Sequence, residues 1–147
     1  MIEQLLGSTA TMYRLRYSFP VAEEFLELDY LSKIEELNIR ENFTQFSLHL
    51  ELIKGANEYG SSQYTNVIEP YFIEHINYSD VAQDRFTDFL VKGGPKTDYD
   101  ELFDDLSLWN IITFKLETLS LQRRSTKRFV NFLKTHRQDL ENASKGS

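Results

Sequence analysis

Basic residues cluster near the C-terminus, where their chemistry suits the binding of anions. The cluster consists of Arg123, Arg124, Lys127, Arg128, Lys134 and Arg137. Guanidinium and ammonium groups donate charge-assisted hydrogen bonds to carboxylates and phosphates. If a helix begins at Ser125, most of these cations avoid the apolar stripe that contains Phe129 and Phe132, which leaves a cationic face. The segment is therefore the leading candidate for a partner-binding site.

The charge is distributed unevenly along the chain. Residues 1–122 carry 9 Lys and Arg against 21 Asp and Glu, a net charge of −12, whereas residues 123–147 carry 7 against 2, a net charge of +5. An acidic partner protein would be attracted to the basic segment. Alternatively, the cations neutralise the acids of a predicted helix at 20–37 through surface pairs worth about 0–1 kcal/mol each. The overall charge of −7 disfavours a general affinity for nucleic acid.

The histidines and the clustered acids match no catalytic or metal-binding motif. His49, His75 and His136 are far apart in the chain, and none forms a pair with the spacing of a zinc-binding helix. The acids from Asp98 to Asp105 lack the glycine and the spaced oxygen ligands of an EF-hand loop. Their position at the start of a predicted helix suits the helix macrodipole. The sequence therefore predicts no catalytic residue, no metal site and no cofactor.

The segment 92–97, KGGPKT, contains the residue types of a phosphate-binding loop in the wrong order. Pro95 separates Gly94 from Lys96, and the first glycine is not at the required distance. A connection between two helices explains the segment, and GxSxG and GxGxxG are both absent from the sequence.

These patterns favour a non-enzymatic interaction protein: a subunit, adaptor or assembly factor of a larger complex. The contact surface would be the basic C-terminal helix, and the partner would be another protein. The first alternative is a nucleic-acid-associated regulator that uses the same helix. The second alternative is an enzyme, a metal-dependent nuclease whose acidic ligands meet only in three dimensions. The sequence does not predict an oligomeric state.

Length and composition predict one domain of ordinary size. The chain has 147 residues, of which 41% are hydrophobic and 27% charged, and its 11 Phe and 8 Tyr can fill a core. It has no Cys, so disulfides and thiolate chemistry are excluded. The N-terminus lacks the features of a signal peptide, and no apolar run approaches the roughly 18 residues of a membrane span. We therefore expect a cytoplasmic protein that does not bind a membrane.

A long central helix at 99–123 is the predicted spine of the fold. Asp98 is in position to cap it, and Glu101 follows three residues later, as in a capping box. Steps of three and four residues place one apolar set on a single face, which predicts that Trp109 is buried. The set is Leu102, Leu106, Trp109, Ile112, Leu116 and Leu119.

The rest of the chain predicts further helices, which makes an all-α domain of six or seven helices. We expect a helix over most of 2–19 with an extended tail into Pro20, and further helices at 20–37, 39–54, 64–77 with an interruption or kink at Pro70, and 80–92 with Asp80 as the cap. Gly93 and Gly94 end the last of these, and 55–63 is predicted to be a loop. The alternative is an α+β fold with strands at 11–19, 43–54 and 111–121, where apolar residues also alternate. The single domain would cover 1–141, followed by a flexible tail at 142–147.

Overall fold

The protein is all-α, as predicted. The computed structural model describes residues 2–28, 30–83 and 88–145, without the side chains at 139, 140 and 142–145. Helix makes up 79% of the structure, and no strand occurs in the described ranges. The alternative α+β fold is wrong, because 43–54 and 111–121 are helical and 11–19 has no regular secondary structure.

The chain contains two long helices, with two short helices before the first of them and three short helices between them. In chain order the helices are α1 (Ile2–Thr9), α2 (Pro20–Glu27), α3 (Leu37–Gln63), α4 (Glu69–His75), α5 (Tyr78–Val81), α6 (Tyr99–Asp104) and α7 (Leu106–Lys145). A 3₁₀ turn at Tyr30–Lys33 precedes α3, and a π-helical turn at Tyr64–Ile68 joins α3 to α4. α3 has 27 residues and α7 has 40.

The predicted spine at 99–123 is two helices, because Asp105 breaks it. Asp98 caps α6 as expected, accepting hydrogen bonds from the backbone N–H groups of Asp100 and Glu101, both at 3.1 Å. Asp105 then adopts an extended conformation, and its carboxylate accepts a hydrogen bond from the Ser107 N–H at 2.8 Å. A second N-cap therefore starts α7, which continues past 123 without interruption.

The predicted buried face of this region is correct for Leu102, which is 4% exposed, but wrong for three of its other members. Leu106, Trp109 and Leu116 are 70%, 51% and 57% exposed. The buried positions of α7 are instead Leu108, Ile111, Lys115, Thr118, Gln122 and Phe129. The helix is thus rotated from the predicted phase, and Trp109 lies at the surface with its indole N–H donating to the Phe103 carbonyl at 2.9 Å.

The predicted helices before residue 64 have different boundaries in the structure. The helix predicted within 2–19 ends at Thr9, because 11–19 has no regular secondary structure. Pro20 starts α2 in the first turn, as predicted, but the helix ends at Glu27 rather than at 37. Residue 29 lies outside the described residues. α3 begins at Leu37 and continues through 55–63, so the predicted loop there is wrong. Ile53 and Ala56 are both buried, so tertiary packing stabilises a helix across Gly55 that local sequence disfavours.

The helix is not interrupted at Pro70, and the predicted kink there stays a prediction. Pro70 lies in the first turn of α4, directly after the π-helical turn, where its missing N–H is tolerated. The predicted helix at 80–92 is wrong in its described part, because α5 is capped by Asn77 rather than Asp80 and ends at Val81. Residues 84–87 of that prediction lie outside the described residues. Gly93 and Gly94 form the predicted break, with φ of 128° and 89°.

The residues group into two compact units, which we describe separately. Unit 1 comprises Met1–Arg14 and Glu58–Ser120, and unit 2 comprises Leu15–Asn57 and Leu121–Ser147. α3 and α7 each contribute residues to both units. The prediction of a single domain at 1–141 stays a prediction. The predicted flexible tail at 142–147 also stays a prediction, and residues 146 and 147 lie outside the described residues.

Each unit has its own apolar core. The core of unit 1 contains Leu6, Ala10, Ile68, Phe72, Ile76, Val81, Leu102, Leu108 and Ile111. The core of unit 2 is aromatic, with Phe46, Ile53 and Phe129 fully surrounded and Leu15, Tyr17, Phe19 and Phe132 packed against them. Asn57 anchors the segment without regular secondary structure at Leu15: its side-chain amide accepts a hydrogen bond from the Leu15 N–H and donates one to the Leu15 carbonyl.

Candidate partner-binding site

All six predicted contact residues lie on α7 and are exposed. We call them the basic face: Arg123, Arg124, Lys127, Arg128, Lys134 and Arg137. The sequence predicted a new helix that begins at Ser125, but this prediction is wrong, because Ser125 lies inside the continuous helix Leu106–Lys145. At about 100° per residue, Arg123, Lys127 and Lys134 fall within roughly 40° of one another. The helix therefore presents three of the cations in one row and the others beside it.

The packing of unit 2 explains why the cations face outward. Phe129 is completely buried, and its ring lies 5.6 Å from the ring of Phe19 and 5.5 Å from that of Phe46. The Tyr17 hydroxyl donates to Thr126 at 3.1 Å on the same side of α7. Phe129 is about 160° around the helix from Lys127. The aromatic core thus fixes the rotation of the helix, and this rotation exposes the basic face.

Five residues of the basic face have no neutralising partner among the described side chains. Arg137 forms an ion pair with Glu141, one turn further along α7, at 2.7 Å, and this hydrogen bond raises the pKa of the Arg137 guanidinium. Among the side chains that the structure describes, none of the other five cations has a carboxylate within 4.0 Å. In α2, the Glu23 carboxylate accepts a hydrogen bond from the Phe19 N–H at 3.3 Å instead of pairing with the basic face.

An exposed apolar side chain lies within the basic face. Val130 is 39% exposed and follows Lys127 by three residues and precedes Lys134 by four, so it lies between them on the helix surface. A surface that combines cations with an apolar centre can bind carboxylates and bury a small apolar contact at the same time.

The three histidines lie apart from the basic face in their contacts. In unit 2, His49 and His136 pack against the same ring, with centroids 5.0 Å and 5.7 Å from that of Phe132. Nδ1 of His136 is buried without a hydrogen-bond partner in the described part of the chain. In unit 1, the ring centroid of His75 lies 4.5 Å from that of Tyr71, and Nε2 of His75 lies 3.8 Å from Oε2 of Glu74. Sequence reasoning missed the pair around Phe132, since α3 and α7 supply its members.

The acids at 98–105 act as helix caps and hydrogen-bond acceptors. Besides capping α7, Asp105 accepts a hydrogen bond from the Tyr71 hydroxyl at 2.6 Å. The hydrogen bonds from Tyr71 and then Ser107 lower the pKa of the Asp105 carboxyl. Burial and the same contact with Asp105 raise the pKa of Tyr71. Among the side chains that the structure describes, no three from His, Asp or Glu converge in a way that could hold a metal ion.

Lys115 is a buried cation that the sequence analysis did not single out. Only 8% of this residue is exposed, and its ammonium donates to the Thr11 carbonyl at 2.7 Å. It also lies 5.6 Å from the centre of the Tyr13 ring. Burial lowers the pKa of the Lys115 amine. No local signal marks the residue, because its partners are about a hundred positions away in the chain.

Comparison with known proteins provides no further guide to function. Neither the protein-family models, nor the curated proteins, nor the solved structures with which the chain was compared match it. In the described part of the chain, no helix combines the length and the apolar character needed to cross a bilayer.

Proposed function

We propose that this protein is a non-enzymatic interaction protein, a subunit, adaptor or assembly factor, that binds an acidic protein partner through the basic face of α7. The observation that carries the proposal is the exposure of six cations on one helix, five of them without a carboxylate within ion-pair distance among the described side chains. Cations that served only to neutralise the protein's own acids would be expected to approach them, and these five do not.

A protein partner is favoured over nucleic acid by charge and by surface chemistry. The whole chain carries −7, so a polyanion as long as a nucleic acid would be repelled beyond the basic face. A folded partner or a short acidic segment can instead place its carboxylates on the basic face alone. Val130 adds an apolar contact among the cations, which suits a protein surface.

The proposal is tested by reversing charges on the basic face. In the variant Arg124→Glu/Lys127→Glu/Arg128→Glu the charge changes by six units on exposed positions. The charge-matched control is Arg16→Glu/Lys54→Glu/Lys92→Glu, which changes three other exposed cations. Each protein is purified with a tag from its source cells at two salt concentrations, and stoichiometric partners are identified by mass spectrometry.

We expect the basic-face variant to lose the partner and the control to retain it. The wild-type complex should weaken with added salt, because screening acts over about 8–10 Å at physiological ionic strength. Retained binding by the basic-face variant, together with a stability lowered by roughly 1–3 kcal/mol, would assign these cations a structural role instead. Loss of co-purification after nuclease treatment would favour the nucleic-acid alternative.

A further inference from the structure

Unit 1 contains a cavity large enough for a small molecule. Its volume is about 560 Å³, and it lies among α4, the π-helical turn before α4 and the loop that contains Gly93 and Gly94. Small-molecule sites in proteins commonly have volumes of about 300–1,000 Å³. The cavity belongs to unit 1 alone, so it is independent of the basic face, whose residues belong to unit 2.

The wall of the cavity combines aromatic rings with carboxylates. Tyr64, Phe72 and Tyr78 line it, and Phe72 is a buried member of the unit 1 core. Glu69 and Glu74 line it as well. Burial raises the pKa of the Tyr64 hydroxyl, and the negative charges of Glu69 and of an ionised Tyr78 would raise it further. Tyr64, Glu69 and Tyr78 all line the same cavity, so a ligand inside it is surrounded by both rings and a carboxylate.

The opposite wall is held in place by one asparagine. The Asn77 side-chain amide donates to the carbonyls of Gly93 at 3.0 Å and Pro95 at 2.9 Å. The Asn77 N–H donates to the Thr97 hydroxyl at 2.9 Å. The loop is thus fixed without a ligand, which reduces the conformational entropy that a ligand would have to remove on binding.

Charge and aromatic content together define the class of ligand. The two carboxylates outnumber the one permanently charged cation on the wall, Lys96, and His75 is the remaining titratable base there. Aromatic rings attract cations through their quadrupole, and quaternary ammonium groups are recognised by such rings together with acids. We propose that this cavity binds a small organic ammonium compound, with its cationic head near Tyr64 and Glu69 and its apolar body against Phe72.

The proposal is tested with a charged probe and its neutral isostere. Choline chloride is compared with 3,3-dimethylbutan-1-ol, in which carbon replaces the charged nitrogen, and with inorganic phosphate. Binding to the full chain is measured by NMR titration at constant ionic strength. We expect choline to bind at least about tenfold more tightly than the alcohol, since one favourable cation contact of this kind contributes on that order.

Variants locate the site and fix the sign of its charge. Glu69→Gln should weaken choline binding about tenfold and leave the alcohol unaffected, because it removes charge at nearly constant shape. Lys96→Gln should strengthen choline binding, since it removes a like charge from the wall. Glu58→Gln removes an exposed carboxylate of unit 1 that does not line the cavity, and it should leave binding unchanged.

Several results would overturn this assignment. Equal binding of choline and its isostere would reduce the site to an apolar cavity, and tighter binding of phosphate would reverse its charge preference. Equal effects of Glu69→Gln and Glu58→Gln would show a general electrostatic effect without a site. The absence of choline binding at 100-fold molar excess or more would also refute the proposal. Both glutamates are exposed, so their neutral variants should fold, which circular dichroism will check.

Discussion

Gly7 provides the sharpest test of the packing in unit 1. It lies within α1 and is buried where that helix contacts the backbone of α5. A Cβ atom added to Gly7 would overlap the carbonyl oxygen of Val81 and lie 3.2 Å from its carbonyl carbon. The obstructing atoms belong to the backbone, so no side-chain rotation can relieve the contact. Gly7→Ala must therefore move α1 relative to Val81.

The expected destabilisation follows from two opposing effects. Alanine in place of glycine favours a helix by about 1 kcal/mol. Overpacking a well-packed site costs typically about 1–3 kcal/mol, and an obstructing backbone places Gly7→Ala at the upper end of that range. We expect a net loss of about 1–2 kcal/mol. For a chain of this size the melting temperature should fall by roughly 2–8 °C.

Gly55→Ala is the matched control, because the same methyl group is added to another helix. Gly55 lies within α3, and no atom lies within 4 Å of the added Cβ. Only the helix propensity then acts, so stability should rise by about 0.5–1 kcal/mol. Thermal melting and urea denaturation, both followed by circular dichroism at 222 nm, measure the two effects. If both alanines raise stability equally, the close packing of α1 on Val81 is refuted.

Three further predictions concern single side chains. Trp109 is half exposed, so its native fluorescence emission should be red-shifted, and a blue-shifted native emission would contradict this. Trp109→Ala should lower the free energy of unfolding by less than about 1.5 kcal/mol, whereas Phe72→Ala in the core should lower it by about 3–5 kcal/mol. The lowered pKa of Lys115 means that the unfolded chain binds more protons between that pKa and 10.5, so stability should rise with pH through this window. Urea midpoints should show this rise in the wild type and not in Lys115→Met. The lowered pKa of Asp105 contributes stability above its ordinary value of 3.8 that is lost as pH falls through the folded pKa, and Tyr71→Phe should reduce this acid dependence; an identical acid denaturation profile would exclude a role for the Tyr71 hydrogen bond.

Local chemistry allowed the helical class and several boundaries to be predicted from sequence. Asp98 caps α6, Pro20 occupies the first turn of α2, and Gly93 and Gly94 adopt conformations that favour glycine. Each of these depends on a residue and its immediate neighbours, so the sequence contains the whole cause. Asp105 is also a helix cap, but apolar residues continue at helical spacing on both sides of it, and this spacing predicted one uninterrupted helix.

The rotation of α7 could not be predicted, because distant partners determine it. The apolar spacing favoured burial of Trp109, whereas the structure buries Lys115 and Thr118. Buried polar groups are tolerated only when they find hydrogen-bond partners. Lys115 finds the Thr11 carbonyl and Thr118 finds Gln63, both far away in sequence. Such partners leave no trace in the periodicity of the helix itself.

The two candidate sites also differ in how far their residues are separated in the sequence. The basic face could be predicted because consecutive turns of one helix supply it, whereas the cavity of unit 1 draws its walls from separate segments. Since α7 is not broken at Ser125, the cations from Arg123 to Arg137 share one helix axis over about 21 Å. A helix rather than a loop fixes their positions, in one group at 123–128 and a second at 134–137, with the turn that contains Val130 between them. If the basic face binds an acidic protein as proposed, the carboxylates of that protein must reach both groups of cations, which an acidic helix or an extended acidic segment can do and a single carboxylate cannot.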